Sequence, residues 1–328
     1  MSSYNIHDKV KIRSDIYLPG LELFETNRKL EPDIVITIGN VKKNHDAVRI
    51  AENLYLISDG IMVYSPVLKL MLKKADDRFE LILNKTNYNK ILHRIMRILL
   101  ALIQLKLTQI NSTFLHASGV AIDNTAILFL GPMGSGKTQV LLQLLTKDKN
   151  IRALSNDFLI VDQSCYGYYY PSFTPLRSLV MLRKMRGLLK KVRVGLRLLV
   201  AKSSRGMLMG YPWISIQEFA ETRIADKAKI SALILLKRGS NESISKNRLV
   251  MCDPCEIIRR LAIQHLIWLN HIVSVWPMPY FYYYLHTQED IWGLKILESI
   301  VNNTKAWILY MDKETYHHKI LRKILQCL

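Results

Sequence analysis

Cysteine is scarce: Cys165, Cys252, Cys255 and Cys327 are the only 4 in 328 residues, too few to staple a chain of this length, which excludes a disulfide scaffold. Cys252 and Cys255 form a CxxC, but "MCDPCEIIRRL" brings no second pair and no histidine, and Asp253-Pro254 opens a helix there. The pair is therefore not read as a metal or redox site. Long apolar runs are also missing. The greasiest stretch, "IMRILLALIQLKL", carries Arg97 and Lys106, and the opening "MSSYNIHDKVKIRSD" has no secretory apolar core, so a cytoplasmic protein without a membrane span is expected.

Acidic residues are outnumbered, with 27 Asp and Glu against 46 Lys and Arg, and the resulting charge of +19 attracts nucleotides, acidic peptides, nucleic acid or anionic lipid. From Gln163 to Gln217 there is no Asp or Glu at all. No recognition motif accompanies the basic residues, which argues against nucleic acid as a partner and against a nucleic-acid-dependent ATPase.

What is present suits a packed globular chain, since 49% of the residues are hydrophobic, enough for two domains or one large one. Residues 1–90 hold short apolar runs broken by turn residues, "DIYLPGLELF", "DIVITIG", "NLYLISDGIMVYS" and "RFELILN", which predict a β-rich N-terminal lobe. Residues 88–110 switch to helical spacing through Ile91, Ile95, Ile98, Leu99, Leu102 and Leu105, a connecting helix into a second domain spanning 91–328. That domain carries a basic helical insertion near 179–205 and a mostly helical C-terminal region. In the insertion, Leu182, Met185, Leu189, Val192, Leu196 and Leu199 recur at three and four residues, predicting a helix whose apolar seam packs on the core while its basic face is solvated. A docking surface for an acidic partner or a membrane is the alternative.

The most informative stretch is "FLHASGVAIDNTAILFLGPMGSGKTQVLLQLL", residues 114–145. Gly131, Gly136, Lys137 and Thr138 satisfy GxxxxGK[ST], placed after the β-run "AILFL" and before a helical segment, where a phosphate loop has to lie. Glycines let the backbone approach a ligand so that successive N–H groups face phosphate oxygens at the positive end of a helix. Lys137 brings a full charge to the β- and γ-phosphates, and the Thr138 hydroxyl suits one position on Mg²⁺. Gly131, Pro132, Met133, Gly134, Ser135, Gly136, Lys137, Thr138 and Gln139 are thus the expected nucleotide-binding segment. In "IRALSNDFLIVD" the run Phe158 to Val161 is predicted to be a buried parallel-type strand completing a βαβ unit. A phosphate loop does not identify the acceptor of the phosphoryl group.

The order "LHASGVAI", "GPMGSGKT", "LSNDFLIV" resembles the HPr kinase-like family, in which a histidine opens the strand pair before the loop and an Asp-Asp pair follows it. Within that family it is most similar in appearance to the peptide-tailoring serine kinases of lasso-peptide and related pathways. The resemblance is strong from Leu115 to Val161, extends to residues 12–64 and fades beyond 165. It implies an α/β P-loop fold of the phosphoenolpyruvate-carboxykinase-like type, and Mg²⁺-dependent transfer of the γ-phosphate of ATP, with GTP also open, to a serine hydroxyl of a peptide or protein. The acceptor would be acidic if the basic insertion helps to hold it, and the family makes a homo-oligomer unsurprising. The match assigns His116 to the family histidine and Asp157 to the second acid, as Mg²⁺ ligand or base. Asn156 stands at the first acid, where an amide cannot take a proton. A nucleotide-dependent binding protein of the same fold, or a kinase of a small hydroxylated molecule, are the alternatives.

Overall fold

The computed structural model describes residues 1–43, 46–66, 68–85, 92–132, 134–171, 173–175, 188–203, 213–218, 223–238, 248–273, 276–285 and 293–311. It is mixed α/β with two large sheets, and divides into two compact units, Met1–Thr113 with Leu266–Leu294, and Phe114–His265 with Lys295–Leu328. Among the described residues no helix is long and apolar enough to cross a membrane.

The first unit is built on strands β1 (Ser2–Ile6), β2 (Val10–Ser14), β3 (Glu25–Thr26), β4 (Ile34–Gly39), β5 (Val48–Ala51), β6 (Leu54–Ile57), β7 (Gly60–Tyr64), β8 (Lys69–Ala75) and β9 (Arg78–Asn84). Their order in the sheet is β3-β1-β2-β4-β9-β8-β7-β6-β5. Turn chemistry sets the hairpins: in the three-residue connection between β1 and β2, His7 and Asp8 both hold positive φ and the Lys9 N–H donates to the Ile6 carbonyl at 2.9 Å. Alternation sets the buried face, with Phe79, Leu81 and Leu83 of β9 turned inward. The run "DIYLPGLELF" is not a strand. Pro19-Gly20 interrupts it, the Ser14 hydroxyl bonds both the N–H and the C=O of Ile16, and the chain makes a single 3-10 turn at Glu22–Phe24, although Ile16, Leu18, Leu21 and Phe24 are still buried.

Helix α1 (Leu92–Gln109) lies inside the expected span. From Ala101 to Leu107 it is buried on every face, including Gln104, which donates to the Thr113 hydroxyl at 3.0 Å, and Lys106, whose ammonium lies 5.1 Å from the centre of the Phe79 ring. This is why the greasiest stretch of the chain is an interior helix carrying a paired polar residue and a ring-bound cation.

In the second unit, β10 (Ser112–Leu115), β11 (Ser118–Ile122), β12 (Thr125–Leu130), β13 (Arg152–Ser155), β14 (Leu159–Asp162), β15 (Tyr166–Tyr169) and β18 (Lys227–Arg238) form a sheet in the order β10-β14-β15-β18-β12-β11-β13. Helix α2 (Lys137–Lys147) follows β12, and the crossover ends in β13 rather than in the run Phe158 to Val161. β11 lies between β12 and β13 and is antiparallel to both, so those two run the same way. The apolar run becomes β14, shifted to Leu159–Asp162 and paired antiparallel with β15, which corrects the parallel expectation. The cause is local: Asp162 Oδ1 accepts from the N–H groups of Ser164 and Tyr166, Cys165 takes a positive φ, and the chain folds straight back.

The C-terminal region has helices at Pro254–Val273, Met278–Tyr284 and Leu294–Asn302, but "KAWILYM" forms a strand, β20 (Lys305–Met311), parallel to β18 from Ala232 to Arg238. Its β-branched and aromatic side chains suit a buried sheet position. Val120, Ile127, Phe129, Leu141, Leu144, Ala153 and Ile234 form the core of this unit, each fully buried aliphatic or aromatic side chain contributing about 1.5–3 kcal/mol.

Helix α3 (Leu188–Ser203) occupies the basic insertion. Its seam does not face the core: Leu198 is fully buried there, whereas Val192, Leu196 and Leu199 are 53%, 60% and 54% exposed. Two apolar stripes are present in the helix, and the core took the one through Val194 and Leu198. Leu182 and Met185 lie outside the described residues.

Candidate active site

At the end of β12 the chain turns at Gly131 with φ +147, where a Cβ would lie 2.7 Å from Ser135 Oγ and 3.1 Å from the Leu236 carbonyl oxygen. Glycine is therefore required both by conformation and by close approach. Gly136, at φ +98, caps α2 without any side-chain hydrogen bond; the Gln139 N–H donates to the Gly136 carbonyl at 3.0 Å, and the amides of Lys137 and Thr138 lie at the positive end of the helix with no capping side chain. The Ser135 hydroxyl is buried and has no hydrogen-bond partner among the described residues, an arrangement that costs about 1–3 kcal/mol until something satisfies it.

Lys137 is folded back over this loop. Its ammonium donates to the Gly131 carbonyl at 2.6 Å and the Pro132 carbonyl at 3.3 Å. Burial holds its pKa below the ordinary lysine range, and the negative charge of Asp157 acts in the opposite direction. Thr138 is half-buried and Gln139 exposed, while Met133 lies outside the described residues.

His116 stands between β10 and β11, and Asp157 in the turn between β13 and β14. Two serines stitch these links together. Ser155 donates its hydroxyl to the Ala117 carbonyl at 2.6 Å, and Ser118 donates its hydroxyl to the Asn156 carbonyl. In consequence His116 Nε2 and Asp157 Oδ1 lie 3.0 Å apart, the imidazole 11% and the carboxylate 38% exposed. An ionised carboxylate can only accept, so Nε2 carries the hydrogen. Asn156, next to Asp157, is 2% exposed and turned into the protein.

His116 and Asp157 are thus brought together by a hydrogen bond, and the charge of the same carboxylate opposes the effect of burial on the Lys137 pKa. Asn156 joins the same turn through its backbone carbonyl, which accepts from Ser118. The pattern of loop, histidine and acid was readable in the sequence, but Ser118 and Ser155 were not singled out. Their signal is small hydroxyls in strands too apolar to leave a polar group unpaired.

The residues fit a bound triphosphate. Among the described residues, an uncapped helix start, a buried hydroxyl without a partner and a lysine held by loop carbonyls all gain partners from phosphate oxygens. Among the described residues no group of three or more His, Cys, Asp or Glu is arranged to hold a metal. A Mg²⁺ carried by the phosphates needs no such group, since one or two protein oxygens suffice, and Thr138 and Asp157 are of the right kind.

No family model and no curated protein matches this chain. Among solved structures it is similar to the Hpr(Ser) kinase/phosphatase from Coxiella burnetii, at 8% identity over 65% of this chain and 87% of that one, with a TM-score of 0.31. A likeness so slight carries no argument about fold or chemistry.

Proposed function

We propose that this chain is a phosphotransferase of the HPr kinase-like type, passing the γ-phosphoryl group of a nucleoside triphosphate to a hydroxyl of a peptide or protein, serine foremost. The observation that carries the proposal is one carboxylate serving two partners: Asp157 bonds His116 at 3.0 Å and acts electrostatically on Lys137 of the glycine-rich loop. A structural acid in a turn has no need of either.

The loop amides, the Ser135 hydroxyl and Lys137 hold the phosphates, and Thr138 would hold Mg²⁺, which supplies charge neutralisation when bound. The acceptor oxygen forms a bond to the γ-phosphorus as the bond to the β–γ bridging oxygen breaks, and the nucleoside diphosphate departs. Asp157 takes the hydroxyl proton while His116 fixes the orientation of its carboxylate. Transfer of this kind depends mainly on positioning and charge, and the base adds roughly 10²- to 10⁴-fold. Asn156 does not oppose this chemistry, because the acid that bonds His116 is Asp157.

Incubation of the pure protein with ATP, Mg²⁺ and candidate precursor peptides, read by mass spectrometry, tests the proposal. A gained phosphoryl group is expected, lost in His116→Ala and Asp157→Ala while nucleotide affinity stays within a few-fold. Unchanged transfer in both variants removes the pair from the mechanism. Tight nucleotide binding with no phosphorylated product favours instead a nucleotide-dependent binding protein.

A further inference from the structure

Helix α3 presents to solvent the stripe that a soluble helix ordinarily hides. Val192, Leu196, Leu199 and Val200 are all exposed and, at spacings of three and four, share one side of the helix. Arg193 and Arg197 follow Val192 and Leu196 directly in sequence, are exposed, and line the edge of that stripe. Neither arginine forms an ion pair among the described residues, and the surrounding sequence from Gln163 to Gln217 supplies no carboxylate for one. The helix is firmly seated from behind, since Leu198 is fully buried in the core of its unit.

An apolar ridge bordered by unpaired cations lacks an apolar phase and an anion, and an anionic membrane surface provides both. We propose that α3 seats this protein on an anionic lipid surface, with Val192, Leu196, Leu199 and Val200 entering the headgroup–acyl boundary and Arg193 and Arg197 meeting lipid phosphates. Three features favour lipid over an acidic peptide. The ridge is the convex surface of a helix, whereas a peptide is ordinarily taken into a groove. Its aliphatic side chains carry no hydrogen-bonding group that would select one partner. The chain's charge of +19 adds long-range attraction that an extended anionic plane exploits more fully than a short peptide.

Co-sedimentation of the full chain with phosphatidylcholine vesicles, with and without phosphatidylglycerol, tests this. Binding is expected only with the anionic lipid. The double substitution Leu196→Ser with Leu199→Ser should weaken it by on the order of 10- to 100-fold, from the lost apolar transfer of two side chains. Arg193→Gln with Arg197→Gln should weaken it by roughly 10-fold or more. All four positions are exposed, so circular dichroism and nucleotide binding should match the parent protein. Equal binding by the serine variant would mean that charge alone attracts the vesicles, and it sinks the proposal. So does equal uptake by pure phosphatidylcholine, or protection of α3 from hydrogen exchange by a soluble acidic amphipathic peptide when vesicles give none.

Discussion

Replacing Asn156 with Asp restores the residue that the HPr kinase-like pattern calls for, and the structure says that it should harm the protein. The side chain at 156 is 2% exposed, so the substitution puts a carboxylate in the interior, one residue from that of Asp157. Burial and like charge both raise a carboxyl pKa, and an increase of about 3 units over the ordinary value of about 3.9 is typical of such sites. The native state then prefers the protonated acid while the unfolded chain is ionised, so the cost is absent below the unfolded pKa and grows as pH rises, reaching about 4 kcal/mol at pH 7. Against a typical total of about 5–15 kcal/mol this is a severe loss. Urea denaturation of parent and variant, followed by circular dichroism at pH 7 and pH 5, measures it. The difference between the two proteins should shrink by roughly 2 kcal/mol between pH 7 and pH 5, the slope approaching about 1.4 kcal/mol per pH unit only below the native pKa. A variant as stable as its parent at pH 7, or one whose deficit ignores pH, would show that position 156 reaches water. The assignment of Asp157 as the acid facing His116 would then fail.

In the phosphate loop, Gly131→Ala places a Cβ 2.7 Å from Ser135 Oγ at a φ of +147, and strain of about 1–3 kcal/mol should lower affinity for a fluorescent ATP analogue roughly 10-fold or more; unchanged affinity would mean that the loop is not the binding surface. Cys252 is buried and its thiol is pushed up to about 11, mainly by desolvation and also by its contact with Glu256, whereas Cys255 is exposed. A maleimide at pH 8 should therefore modify Cys255 well before Cys252, as read by peptide mapping, and equal labelling would contradict the burial of Cys252.

The glycine-rich turn between β12 and α2, the strands of the first ninety residues and α1 were legible because each is written in neighbouring residues. Glycine spacing, strand alternation and a run of apolar residues at helical intervals act over one or two turns of chain, and tertiary packing did not override them. The hairpin that made β14 antiparallel was missed although its signal is also local. Asp162 closes the turn with its own side chain, but an apolar run by itself suggests burial and not a pairing partner. For α3 the periodicity announced an apolar face without saying which of two stripes the core would accept.

The sequence by itself determined the glycine-rich turn before α2, since that depends on backbone freedom at three glycines, with a lysine next to the last of them. Only the tertiary structure decided which side chain meets His116. Asn156 and Asp157 are adjacent, yet the first is 2% exposed and the second side chain 38%, and the turn that carries them is fixed by hydroxyls and carbonyls that pair across 38 residues of chain, from Ser118 to Asn156 and from Ser155 to Ala117. Contacts between residues that far apart depend on strand register, which local pattern does not encode.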